Sequence, residues 1–364
     1  MENKNHYRNV KRITYFLGFI TIVLCVYILI ALKAILVPIT IAIFLTFFFH
    51  PILNFLNHNL KIPKPIALIL ILIFNFGVFY LLGLLIASNV MGFSQKAEFY
   101  AQNLGTFLGS LLQPFNITLT EFANYLNVQI ETLDTTSVMR EVFNTGILQS
   151  IFSSFSSMLG DFVIVMMFWI FMIMGKDKFD DRLRLAFTKN PSYVDDNMKA
   201  INLQLQSYIL YKTLISFITG AAFTIILLIY NIDFALFWGF LAFMLNFIPN
   251  IGSLLATVFP IIISLLEYGL GFTSISLVGL LVAVQFILGN IVEPKFLGEK
   301  MDLSPVFVLF SLFFWGWVWG IVGMFLAVPI AAMVKIFCSN LESLQPIAVL
   351  IGTNKKNKET TKGK

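Results

Sequence analysis

Apolar runs of about twenty residues recur along the chain, separated by short polar or basic segments. A helix rising 1.5 Å per residue needs about 20 such residues to cross a ~30 Å hydrocarbon layer. The runs 13–31, 35–55, 65–87, 151–174, 207–230 and 270–290 meet that length. Two further apolar stretches, 234–266 and 305–337, are too long for simple spans, since unbroken they would each reach about 50 Å. Both contain breakers: Pro249, Gly252 and Pro260 in the first, and Gly316, Gly320, Gly323 and Pro329 in the second. The pattern predicts an all-α polytopic membrane protein of about six full transmembrane helices plus two broken re-entrant helical hairpins.

Composition strengthens that reading. The 364 residues are 58% hydrophobic and 12% charged, about half the charged share of a soluble domain. The net charge of +5 comes from basic residues at the ends of apolar runs, where they set orientation, not from a nucleic-acid-binding patch. Four of them (Lys4, Arg8, Lys11, Arg12) precede the first run, which reads as a transmembrane helix and not a cleaved leader. Segments 175–200 and 352–364 are also lysine- and arginine-rich, whereas 88–150 contains only Lys96 and Arg140. The expected topology therefore has both termini cytoplasmic in a cell membrane, with 88–150 outside.

The expected organisation is a three-span unit (1–87), an extracytoplasmic amphipathic helical segment (88–150) and a fourth span with its cytoplasmic connector (151–206). A transport core with two span-plus-hairpin units (207–338) and a basic cytoplasmic tail (339–364) follow. Cys25 and Cys338 lie in apolar runs, which argues against a disulfide framework.

Three sets of polar residues interrupt the apolar pattern. Asn246, Pro249, Asn250 and Gly252 fall within seven residues. Broken backbone at membrane depth persists only where protein or a watery cavity satisfies it, and such breaks often hold ions or polar solutes. The alternative is a tight structural turn between hairpin arms. Gln285, Gly289 and Glu293 recur at i, i+4 and i+8, a polar stripe beside Asn290 and Pro294. Against that stripe, Glu293 could simply pair with Lys295 at the membrane interface. Asp161 shares a face of the fourth span with Ser153 and Ser157, and an aspartate at that depth costs about 2.5–3.5 kcal/mol on insertion scales. A buried aspartate bonded to nearby serines would serve equally well. Lys212 reads as a snorkelling interfacial lysine.

Enzyme motifs are absent: there is no phosphate-binding Walker loop, no His-Glu-x-x-His, no Gly-x-Ser-x-Gly and no paired intramembrane aspartates. No metal site, cofactor or catalytic residue is expected. The expected partners are the lipid bilayer and either a small polar solute or a monovalent cation or proton.

Asn246-Phe-Ile-Pro-Asn-Ile-Gly252, Asn290-Ile-Val-Glu-Pro294 running on to Gly298 and Leu303-Ser-Pro305, and Trp319-Gly-Ile-Val-Gly323 followed by Pro329 together resemble the three signatures of the autoinducer-2 exporter family. The likeness covers essentially the whole chain. Two positions depart from the family pattern: Asn250 stands where an aromatic is more usual, and Tyr211-Lys212 replaces a common glycine-glutamine pair. The resemblance implies a secondary transporter and a homo-oligomer. It implies either export of the autoinducer-2 signal, a small polar furanone derivative, or sodium/proton antiport. A non-transporting membrane scaffold is the third reading.

Overall fold

The computed structural model describes residues 2–115, 121, 157–175, 191–249, 251–296, 303–340 and 344–352. Among these the chain is helical apart from short turns and an isolated antiparallel bridge between Leu303 and Gly352. In order come α1 (Glu2–Ala31), α2 (Lys33–His58), α3 (Lys64–Leu112), α4 (Ser157–Gly175), α5 (Pro191–Ile229), α6 (Ala235–Leu245) and α7 (Ile251–Tyr268). They are followed by α8 (Phe272–Phe286) with a π-helical extension (Ile287–Val292), α9 (Pro305–Trp319), α10 (Ile321–Asn340) and α11 (Gln345–Ile351).

Eight of the described helices are long and apolar enough to cross a bilayer. Six of them, α1 to α5 and α8, fall on the six predicted runs, of which residues 151–156 lie outside the described residues. The other two, α7 and α10, are the second arms of the two long stretches, each preceded by a shorter apolar helix. The stretches break at 246–249 and at Gly320, whereas Pro260 and Pro329 lie inside α7 and α10.

Each break reverses the chain. The Trp238 and Phe259 rings stack 5.9 Å apart, and Gly252 backs onto Leu245; both pairs centre on residues 248–249, as only antiparallel arms allow. In the other stretch Ser311 Oγ donates to the Ala327 carbonyl at 2.9 Å, and Gly316 faces Met324, which centres the turn on 319–320. The two tips use glycine differently. Gly320 adopts φ 69°, a backbone open to glycine at little cost. Gly252 needs closeness instead: a Cβ there would collide with the Leu245 carbonyl.

Two elements exceed their predicted bounds. α3 does not stop at residue 87 but continues to Leu112, about 73 Å in all. No proline interrupts 87–112, and the glycines there each cost only about 1 kcal/mol of helix preference. The first part of the predicted extracytoplasmic segment therefore continues the helix of the third span, while 116–120 and 122–150 lie outside the described residues. α5 starts at Pro191 rather than 207, with proline at a first-turn position where its missing N–H costs nothing.

The helices group into two compact units. The first comprises Met1–Phe47, Ile164–Ile201 and Leu303–Lys364. Here Ala327, Ala331 and Ala332 are fully buried along α10, small side chains that let helices approach closely, and the Trp319 indole donates to the Leu29 carbonyl at 3.1 Å. The second comprises Phe48–Val163 and Asn202–Asp302. Its core is built from Phe223, Leu227, Ala242, Ala256, Leu277 and Leu281 on α5 to α8. Gly220 on α5 and Gly239 on α6 meet backbone to backbone, each lying where the other's added Cβ would strike its carbonyl. This contact draws the first hairpin arm tightly against α5.

Candidate functional site

Within the second unit, α5, the α6–α7 tip and the end of α8 enclose a cavity of about 320 Å³. The tip forms because Pro249 has no N–H to continue a helix. The N–H groups of Phe247 and Ile248 instead tighten onto the Met244 and Leu245 carbonyls at 3.2 and 2.8 Å. Asn246 caps α6, is 7% exposed, and its side-chain amide donates to Ser216 Oγ on α5 at 3.0 Å. The tip is thereby pinned to α5 by a buried amide–hydroxyl bond.

The facing wall comes from the end of α8. Pro294 has no N–H to give the Asn290 carbonyl, and its ring would crowd that oxygen. The preceding turn widens into the π segment, where the Glu293 N–H reaches back to Leu288. Such π turns are rare and recur at functional sites. All three predicted stripe positions and Asn290 face the cavity: Gln285, Gly289, Asn290 and Glu293 line it. The Gln285 amide nitrogen is buried without a hydrogen-bond partner among the described residues. A buried amide left unmatched costs about 1–3 kcal/mol, which a ligand acceptor would recover once the Gln285 side chain rotates its nitrogen to the cavity surface.

Of the eight residues singled out from sequence, Asn246, Pro249, Gln285, Asn290 and Glu293 line this one cavity. Gly252 supports it from behind the tip, and Asn250 lies outside the described residues. Asp161 is exposed on α4 and does not line the cavity.

Lys212 is the main departure. It does not reach for an interface but lies 5% exposed in α5, lines the cavity, and places its ammonium 2.5 Å from Glu293 Oε1. Glu293 therefore pairs with a lysine 81 positions away, not with its neighbour Lys295. The signal was present in the sequence: two lone opposite charges in otherwise apolar runs, which the cost of burying either alone drives together.

A second polar cluster was not anticipated. At the turn after α5, Asp233 receives hydrogen bonds from Lys96 and from the Tyr100 hydroxyl, the latter at 2.6 Å. Its backbone N–H donates to Glu267 Oε1 at 3.2 Å, and the same oxygen lies 3.1 Å from the Tyr100 hydroxyl. Partial burial alone would raise the Asp233 carboxyl, but the hydrogen bonds from Lys96 and Tyr100, together with the ammonium's charge, hold it below the usual carboxylate range. The long α3 supplies Lys96 and Tyr100, and a smaller cavity of about 210 Å³ lies beside Glu267 and Asn103.

The sequence matches the profile of the AI-2E family transporters over residues 17–343. The chain belongs to that family. It is 30% identical to a putative transport protein of Haemophilus influenzae over 87% of this chain and 90% of the relative. A putative transport protein of Borreliella burgdorferi is 29% identical over 88% and 85%. The AI-2 transport protein TqsA of Escherichia coli is 28% identical over 93% and 95%. The protein is thus a multi-pass membrane protein of a transporter family, with relatives in several bacteria.

Proposed function

We propose that this AI-2E family protein carries a small, polar, oxygen-rich solute of autoinducer-2 type out of the bacterial cell through the cavity bounded by Asn246, Gln285 and Glu293. The observation that carries the reading is the unmatched Gln285 amide beside a cavity whose wall mixes the hydrogen-bonding side chains of Asn246, Ser253, Asn290 and Glu293 with the apolar Ile248, Val282 and Phe286. A furanone-like solute has acceptor and hydroxyl groups to meet it, and 320 Å³ falls at the small-molecule end of ligand cavities. The name of the Escherichia coli relative supports the substrate class. The clusters of Lys and Arg support cytoplasmic termini, and outward flux follows the family resemblance.

The test is flux of autoinducer-2 from proteoliposomes holding the full chain. Asn246→Ala and Gln285→Leu should each lower the rate per folded protein at least several-fold. Equal flux from both variants and the unaltered protein sinks the assignment of the cavity. Cysteines at Gln129 and Lys189 address orientation: an impermeant thiol reagent should reach 129 in intact cells and 189 only after the membrane is opened.

A further inference from the structure

The cavity holds a buried ion pair where a polar-solute site needs none. Neutral amides and hydroxyls can recognise hydroxylated solutes, so Lys212 and Glu293 call for a separate account. Lys212 is 5% exposed and its partner carboxylate about a quarter exposed, and both line the wall. The other polar side chains that line it, Asn246, Ser253, Gln285 and Asn290, carry no charge. Taken together the lining groups are neutral.

Consider the same wall without the lysine. A carboxylate in a largely apolar setting must either take up a proton or hold a counter-cation, because an unpaired buried charge is very costly. The oxygens nearby are those a hard monovalent cation accepts: a carboxylate, side-chain amide carbonyls and a serine hydroxyl. Such a wall would be a coupling site, loaded by sodium or a proton before or with the solute. In this chain the position beside Glu293 is already filled by an ammonium on a tether.

We infer that Lys212 is a resident cation that replaces a coupling sodium ion or proton at Glu293, so that this site takes its solute without a coupling cation. The inference rests on reading the cavity as the solute site and adds what drives it: the solute's own gradient. Lys212 also becomes a coupling-determining residue, since its removal, not its presence, would create cation dependence. The lysine's three donors can keep Glu293 satisfied while one N–H turns to a solute oxygen, which a sodium ion could not reproduce with the same geometry.

The experiment is binding of ²²Na⁺ to the purified full-length protein, with choline replacing sodium to hold ionic strength, and needs no knowledge of the solute. The unaltered protein should show only background binding. Lys212→Gln, similar in length but uncharged, should bind sodium saturably and stoichiometrically, with protons competing as pH falls. The double variant Lys212→Gln/Glu293→Gln should return to background. Lys212→Met serves if the glutamine variant does not fold. Saturable binding to the unaltered protein that Glu293→Gln removes overturns the inference, and so does a folded Lys212 variant that binds no sodium. Loss of the transport reading is a separate result, because autoinducer-2 flux that survives Asn246→Ala would leave the sodium result standing.

Discussion

Two ion-paired clusters stand within one helical unit, and they are built to opposite rules. The Lys212–Glu293 pair sits in the middle of α5 against the end of α8, beside an unmatched amide and an open cavity. The Lys96–Asp233–Tyr100–Glu267 cluster sits about 25 Å further along α5, beyond its end, and joins three elements through contacts it makes to itself. Asp233 has every role filled: its carboxylate is bonded, its N–H goes to Glu267, and its carbonyl accepts from the Trp238 indole at 3.1 Å. Tyr100 is 3% exposed and stacks on Phe93. A cluster that satisfies itself holds structure together, whereas one that leaves a buried donor unmatched is prepared for something else. We read the first as the site and the second as a clamp that ties the long α3 to the turn before the first hairpin.

The largest contrast should come from Glu293→Gln, which strands a buried ammonium. It should lower stability by about 3 kcal/mol, near the low end for a broken buried pair because the carboxylate is partly exposed, and abolish flux. A melting curve of the detergent-solubilised protein beside a liposome assay checks both. If flux survives, the pair belongs with the clamp.

Tyr100→Phe should come next and should divide the two regions cleanly. Removing the phenolic hydroxyl leaves Asp233 one hydrogen bond short at a cost of about 1–2 kcal/mol, read as a lower melting temperature. The rate of solute flux per folded protein should not change. A fall in flux without a fall in stability would move the clamp into the transport path.

The smallest effect is a pH effect at Asp233. Its carboxyl is held below the unfolded value near 3.9, so its stabilisation is present above that value and is lost as pH falls through the folded pKa. Asp233→Asn should therefore melt below the unaltered protein at neutral pH, with the two curves converging below about pH 4. Lys96 is half-exposed, so Lys96→Met should cost at most about 1 kcal/mol, and less as salt rises.

The fold was legible because its strongest determinants are local in sequence. Apolar run length fixed six helices, and Pro249 and Gly320 marked two reversals. What sequence missed depends on partners far along the chain. Lys212 looked like an interfacial lysine because nothing within four residues contradicts that, and its partner lies 81 positions away. Lys96 and Asp233, 137 positions apart, carry no local sign of a partner, and only the unbroken length of α3 carries Lys96 to the turn. The π turn was also hidden, since the i, i+4 spacing of Gln285, Gly289 and Glu293 suits an α-helix equally well. Asp161 illustrates the reverse: an intramembrane carboxylate conspicuous in sequence, yet exposed and apart from the cavity.

The most direct test of the site against the clamp is solute protection of single cysteines, on a background in which the exposed Cys25 is serine. Asn290→Cys places a thiol in the wall of the larger cavity, and Asn103→Cys places one in the smaller cavity beside Glu267. With autoinducer-2 present, maleimide labelling at 290 should slow in a concentration-dependent manner while labelling at 103 stays unchanged. Protection at 103 alone, or at neither position, would contradict the assignment of the Asn246–Glu293 cavity as the place where the solute binds.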